Sequence, residues 1–413
     1  MDEDESEREH GVTMDIATKT IVTSKHVVTI LDSPGHAEFI PAMITGAAAA
    51  DVAILVIAAT PGEFEAGFRT GSMTGISGGQ TREHIILARG LGVTQLIVAI
   101  NKLDSAQPIW SQARFYEIQD KLKPFLKSNG FLMKRVQFIP VSGLLGINIT
   151  VSPCVIQKED EEGYAPELSQ WYTGPTLMGA IDTFEPAKRD YEKPMRFIIS
   201  DVYTEGKNVI VQGRVIQGYV SVGDKVLILP IADESVIQRM DPGAIDRSSS
   251  PSSTTIDRTQ IALAGDCVDL VLKQIDSSRI FPGNVITHVD SDPIVMLSNT
   301  FQAKVVIMDE IAIPIIQGAE VLFHMHNIDI PAIITKLITS FIRKTGSEQG
   351  GDEGEIEEVQ RPRVLIGGST ASVEIRVREK ICLETYQHCR ALGRFALRRE
   401  GDTIAVGIVE CVR

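Results

Sequence analysis

The chain lacks an excess of basic residues: 40 Lys and Arg stand against 54 Asp and Glu, a formal charge of -14 over 413 residues. Neutralising a phosphate backbone needs clustered cations, so this balance argues against bare nucleic acid as the main partner and against sequence-specific DNA binding. No apolar run approaches the roughly 20 residues that a membrane-spanning helix needs, and no membrane role is expected. Met1–Arg8 is mostly Asp and Glu without an apolar core, which fits neither a secretory signal nor a mitochondrial presequence. The five cysteines, Cys154, Cys267, Cys382, Cys389 and Cys411, show no CxxC spacing, and their odd number suits reduced thiols in the cytosol. No internal repeat of about 20–50 residues is visible.

What is there is the composition of a soluble globular chain, 43% hydrophobic and 23% charged, long enough for several buried cores. From Lys19 to Asp182 short β-branched runs alternate with helical stretches, which predicts an α/β sheet. Strands are expected at Lys19–Ser24, His26–Leu31, Val52–Ala58, Gln95–Ile100 and Val136–Pro140, with helices at Phe39–Ala50, Thr81–Leu91, Ser111–Asn129 and Leu177–Asp182. After Pro186 the rhythm becomes short alternating strands punctuated by Gly and Asp, such as Val209–Gln212, Arg214–Ile216 and Lys225–Leu229, as in barrels. A second β unit is expected from about Asn299. Arg247–Thr255 and Gly346–Glu358 read as solvated loops.

Three motifs carry chemistry, each at the carboxyl end of an expected strand. The first is Asp32-Ser33-Pro34-Gly35-His36: the acid can hold a magnesium-bound water, and the Gly35 N–H can approach a terminal phosphate because no Cβ intervenes. The second is Asn101-Lys102-Leu103-Asp104, whose Asp104 carboxylate can accept two parallel hydrogen bonds from the guanine N1–H and exocyclic amine. Asn101 would brace that loop, and the Lys102 stem would cover the base. The third is Ser142-Gly143-Leu144, where a backbone N–H could bind the guanine O6. Any one of them alone also reads as an ordinary polar turn. Three in order place one nucleotide along one edge of the sheet. Ahead of them, Thr13 could offer its hydroxyl to magnesium within a switch ordered only in the triphosphate state.

Gly11-Val12-Thr13, Asp32–His36, Gly78-Gly79-Gln80-Thr81-Arg82-Glu83-His84, Asn101–Asp104 and Ser142-Gly143-Leu144 together resemble the ordered motifs of the translational GTPases of the elongation factor 1 alpha superfamily. The resemblance covers almost the whole chain, and Leu392–Arg398 with Thr403–Gly407 is similar to the closing strands of that group's third domain. It implies an α/β G domain of the P-loop NTPase type over residues 1–186, then two all-β barrels over 187–296 and 297–413. It also implies GTP or GDP and Mg2+ as ligands, with Asp32 and Thr13 serving the metal and Asn101, Lys102, Asp104 and Ser142 reading guanine. His36 would orient the attacking water and is the likeliest catalytic side chain. His84 and Arg82 could face the ribosome or simply pack.

The family's phosphate-binding loop, GxxxxGK(S/T), occurs nowhere in the 413 residues. Its strand is the central one of the family's sheet, between the strands at Val27–Leu31 and Val52–Ala58, so two inner edges are expected to stand unpaired. A truncated gene model, splice form or fragment is the expected reason, rather than a degenerate enzyme, because the other nucleotide motifs look intact.

Within the superfamily, Gln170–Leu177, Trp110–Phe115 and Ala264–Val268 look most like the Hbs-type ribosome-rescue factors. The implied partners are the ribosome and a Pelota-like protein docked on the barrels. A termination GTPase docking a termination factor is the runner-up, followed by an aminoacyl-tRNA-delivering elongation factor and by a non-hydrolysing docking module. His324-Met325-His326 alternates like a metal pair, but no third ligand is evident and core packing is the expected role.

Overall fold

The computed structural model describes residues 16–36, 39–70, 79–153, 165–206, 208–242, 260–273, 275–291, 295–309, 311, 313–343 and 356–413. They fall into two units, whose bulk is Thr20–Ala187 and Lys188–Arg413. Among the described residues no helix is long and apolar enough to cross a membrane.

The first unit is α/β. Its sheet is a parallel trio, β3 (Ala53–Ala58), β4 (Leu96–Asn101) and β5 (Val136–Pro140), beside a separate pair, β1 (Ala17–Val22) with β2 (Val27–Asp32). Leu96–Ile100 is buried on both faces, as an unbroken apolar run in a covered parallel sheet must be. The covering helices are α1 (Ile40–Ala49), α2 (Glu63–Phe68), α3 (Gln80–Leu91), α4 (Gln112–Ser128), α5 (Pro166–Ser169) and α6 (Leu177–Ile181). Ser111 starts α4 by accepting the Arg114 N–H on its hydroxyl at 3.2 Å, and Thr176 starts α6 by accepting that of Gly179 at 3.0 Å.

The sheet is broken where the expectation placed the break. Ala53 and Ala59 donate to Gln95 and Asn101 of the β4 side, so in a parallel ladder Ile54, Val56 and Ala58 turn their N–H groups to the opposite edge. Val56, mid-strand in an apolar run, is 63% exposed. Val28 of β2 still packs on the core shared by β3 and β4, and Ser24 donates to Asp182 Oδ2 at 2.5 Å, tying the β1–β2 turn to the end of α6.

The second unit is two closed barrels. The first runs β6 (Arg196–Glu205), β7 (Asn208–Gln217), β9 (Lys225–Leu229), β10 (Asp233–Pro242), β12 (Cys267–Leu272) and β13 (Val285–His288), with a small ribbon of β8 (Tyr219–Ser221) and β11 (Ile261–Leu263). The expected strands Val209–Gln212 and Arg214–Ile216 are one strand, β7. Gly213 continues it because an added Cβ would sit 2.2 Å from the Ile198 carbonyl oxygen.

The second barrel closes through β14 (Met296–Ile307), β16 (Glu320–Met325), β17 (Ile328–Arg343), β20 (Thr370–Leu383), β21 (Arg394–Arg399) and β22 (Asp402–Val412), with β18 (Ile356–Gln360) appended. β15 (Ile315–Ile316) and β19 (Val364–Leu365) form a second ribbon. Phe301, Phe323 and Phe395 fill this barrel with ring centroids 5.0–5.8 Å apart. The loop expected at Gly346–Glu358 ends as strand β18, and the rest of it, like Arg247–Thr255, lies outside the described residues. His324 lies on β16, but His326 has φ 41 in the following turn, so the expected alternation on one face breaks there.

An apolar seam of Ile198, Leu229, Val285, Cys382, Cys389 and Leu392 joins the barrels. Burial pushes the Cys382 thiol up to about 12 and the Cys389 thiol up to about 11, so neither is a nucleophile near neutrality. At the seam Arg196 donates to Glu384 Oε1 at 2.5 Å, with side chains only 1% and 7% exposed, and also to the Met195 carbonyl, Thr287 Oγ1 and Ser291 Oγ.

Candidate nucleotide site

β4 and β5 run side by side with Ile100 opposite Pro140, so the loops that follow them emerge together at the carboxyl edge of the sheet. Asn101 fastens one loop to the other: its Oδ1 accepts the Lys102 N–H at 2.9 Å and the Gly143 N–H at 2.8 Å. Lys102 takes φ 61, a left-handed conformation costing a non-glycine residue about 1–2 kcal/mol, and the Asn101 bond helps hold it there. A one-turn helix, Leu103–Ser105, then presents Asp104.

Asp104 Oδ2 accepts from Ser105 Oγ at 3.2 Å, while Oδ1 is buried and has no hydrogen-bond partner among the described residues. A buried acceptor left without a donor costs about 1–3 kcal/mol, which a ligand supplying an N–H would recover. Lys102 Nζ pairs with Glu63 Oε2 at 2.8 Å, and that bond holds the Glu63 carboxyl below its usual range. Ser142 is 1% exposed and closes its own turn, pairing with Ile147 through the backbone and accepting the Leu145 N–H on Oγ at 3.3 Å. Gly143 spends its N–H on Asn101, and Leu144 at the tip of the loop is 90% exposed.

The remaining sequence-predicted residues stand apart. Asp32 is the last residue of β2, and its loop crosses α1, where a Cβ on Gly46 would sit 2.1 Å from Ser33 Oγ. At Gly35 an added Cβ would have nothing within 4 Å. His36 is exposed, and its carbonyl accepts from Phe39 N–H at 3.0 Å. Thr13 lies outside the described residues, as does Gly78. Gly79 to His84 is packed: a Cβ on Gly79 would meet the Gly67 carbonyl at 2.2 Å, and the Arg82 guanidinium lies 4.4 Å from the Phe125 ring centroid. Burial lowers His84 to about 4, and its Nε2 has no partner among the described residues.

Sequence reasoning missed the support behind the site. Arg114 Nε donates to the Ala59 carbonyl at 2.9 Å, and Nη1 reaches Glu65 and Glu117, so α4 holds the end of β3. Arg114 in turn lowers the Glu65 carboxyl to about 2. Ala59 and Glu65 lie 55 and 49 residues from Arg114, too far for any local pattern to announce. An open cleft of about 560 Å³ borders them, lined by Ala59, Gln107, Pro108 and Arg114 and by none of the guanine-loop residues.

A parallel sheet with nucleotide-type loops, followed by two closed barrels, defines a G-domain protein of the translational class. Residues 1–187 match the elongation factor Tu GTP-binding domain, and residues 300–410 match the GTP-eEF1A C-terminal domain-like family. The whole chain is 33% identical to elongation factor 1-alpha of Saccharolobus solfataricus, covering 85% of it, and 37% identical to that of Hyperthermus butylicus, covering 84%. It is 39% identical to Protein HBS1 of Drosophila melanogaster, of which it spans 55%. In fold it is similar to the Saccharomyces cerevisiae Ski7 GTPase-like domain, with TM-score 0.71 over 99% of this chain and 86% of that one at 18% identity. The chain belongs to the elongation factor 1-alpha family of translational GTPases, a family of GTP-hydrolysing enzymes.

Proposed function

We propose that this chain supplies the guanine-reading loops and the partner-holding barrels of a cytoplasmic ribosome-rescue GTPase, with domains at 1–186, 187–296 and 297–413. The observation that carries the reading is the orphaned Asp104 Oδ1 on a loop that Asn101 fastens to Gly143. The guanine N1–H and exocyclic amine are the donors that a fixed carboxylate accepts in parallel; adenine offers no such pair. Lys102 covers the base, and the Ser142–Leu144 turn faces O6. The Gly35 N–H would approach a terminal phosphate, and His36 would orient water.

For Mg2+, Asp32 is the one proposed donor among the described residues, Thr13 being outside them, and the phosphate loop is not in the sequence. The described residues do not complete a metal and phosphate site. GTP or GDP recognition through the base is what they support.

The rescue branch, with a Pelota-like protein on the barrels and the ribosome as the site of action, draws on one further juxtaposition. Two of the three stretches that carry the branch resemblance, Trp110–Phe115 and Gln170–Leu177, pack on each other: Trp171 Nε1 donates to the Trp110 carbonyl at 3.0 Å and its ring lies 5.2 Å from Phe115. The identity with Protein HBS1, 39%, also exceeds the 33–37% shared with the two elongation factors.

Calorimetric titration of GDP and ADP with magnesium tests the reading, using the 413-residue chain and a version extended by a phosphate loop and its strand. Binding by the extended version with guanine favoured on the order of 10^4-fold supports it, and Asp104→Asn should move preference toward xanthine. No binding by the extended version, or unchanged guanine preference in Asp104→Asn, sinks the reading and favours a docking module.

A further inference from the structure

Lys102 is held at both ends of its length. Its backbone N–H donates to Asn101 Oδ1 at 2.9 Å, and its Nζ donates to Glu63 Oε2 at 2.8 Å, across 39 residues of chain. A lysine stem is among the freest of side chains, and one pinned at both ends has surrendered that freedom before any ligand arrives. Core packing does not call for the bond, because the Lys102 and Glu63 side chains are 50% and 51% exposed.

An exposed ion pair by itself contributes little, since forming it means ordering two long side chains. Here the ground under the carboxylate is already ordered. Glu63 opens α2, and that helix is fastened in three ways: Phe64 is buried, the Gly62 N–H donates to Glu65 Oε2 at 2.8 Å, and the Arg114 guanidinium donates to Glu65 Oε1 at 2.9 Å and to Oε2 at 3.2 Å. Arg114 Nε also holds the Ala59 carbonyl just past the end of β3. The backbone that presents Glu63 is thus fixed to β3 and α4 without help from Lys102, which leaves the pair free to set where the lysine stem lies.

We infer that Glu63 is a positioning residue for guanine recognition: its carboxylate holds the Lys102 ammonium so that the stem is laid ready for the base before the nucleotide enters. The inference rests on the reading that Asn101–Asp104 receives guanine, and it gives α2 a part in that site. Glu63 acts through Lys102 rather than on the nucleotide.

Two measurements test it. In the 413-residue chain without nucleotide, competitive acetylation read by peptide mass spectrometry compares Lys102 with Lys134, an exposed lysine outside the pair. Glu63→Gln should raise Lys102 labelling about two- to fivefold relative to Lys134, because an ammonium capped by a carboxylate is less open to the reagent. Unchanged labelling means that the pair does not form in solution and overturns the inference. In the version extended by a phosphate loop and its strand, calorimetric titration should show GDP bound about two- to fivefold more weakly by Glu63→Gln than by its parent. Lys102→Met keeps an unbranched stem without the ammonium, so in that background Glu63→Gln should cause no further loss, an outcome that a merely structural role in α2 would not give. Equal GDP affinity in Glu63→Gln and its parent, or the same loss with and without the Lys102 ammonium, overturns the positioning role and leaves the guanine reading intact. Absence of GDP binding by the extended parent overturns the guanine reading and this inference with it.

Discussion

The two units handle strand edges in opposite ways. Each barrel joins its six strands into a ring, so every ladder group in the ring has a neighbour. Among the described residues the α/β unit leaves the Ile54, Val56 and Ala58 edge of β3 without a strand, although that strand is as apolar as any in the barrels. Closure, not apolar content, is therefore what separates a protected strand from an exposed one here. The consequence reaches the nucleotide site: the loops anchored on β4 and β5, which are paired, are held together, whereas Asp32 belongs to β2 in the detached pair.

The contrast can be broken hardest at the barrel seam. Arg196→Ala leaves Glu384 buried without its partner and should destabilise the barrel unit by about 3–5 kcal/mol in urea denaturation, with little change in the α/β unit. An unchanged midpoint would mean that the ion pair contributes nothing to the seam.

Next in size is an acid sensitivity of the α/β unit that His84 carries. Burial depresses His84 in the folded state to about 4, against 6.5 when unfolded. Its neutral form favours folding fully above pH 6.5, and that contribution drains away as pH falls toward 4, about 3 kcal/mol in all. His84→Leu should flatten the unit's stability between pH 6.5 and 4; a slope as steep as the parent's would assign the acid sensitivity elsewhere.

Asn101→Ala removes the acceptor shared by Lys102 and Gly143 and should cost about 1–2 kcal/mol locally, seen as faster amide exchange in both loops together. Exchange rising in one loop alone would show that Asn101 does not couple them. The smallest effect is expected at the open edge: Val56→Lys should shift stability by less than about 0.5 kcal/mol while lowering aggregation on heating, measured by light scattering. The same change at Val305, 1% exposed in a closed ring, should unfold the barrel.

Strands and motif loops were legible because their signals are local. An apolar run such as Leu96–Ile100 followed by a polar tetrad needs no distant partner to be recognised, and β5 came out at its expected bounds, Val136–Pro140. β7 was split in the sequence reading because Gly213 looks like punctuation; the close Ile198 backbone that explains it lies 15 residues away in the chain, from 198 to 213. The short helices α2 and α5, at six and four residues, are under two turns and carry no period. At the site, Asp104 and Asn101 could be named but not the Gly143 bond, which makes the pair a single device, nor Glu63, which occupies Lys102 across 39 residues.

The seam between the barrels has a mechanical meaning. With Arg196 holding Glu384 across it and Met195, Thr287 and Ser291 on its own side, a load applied to one barrel is passed to the other through a desolvated ion pair as well as through apolar contact.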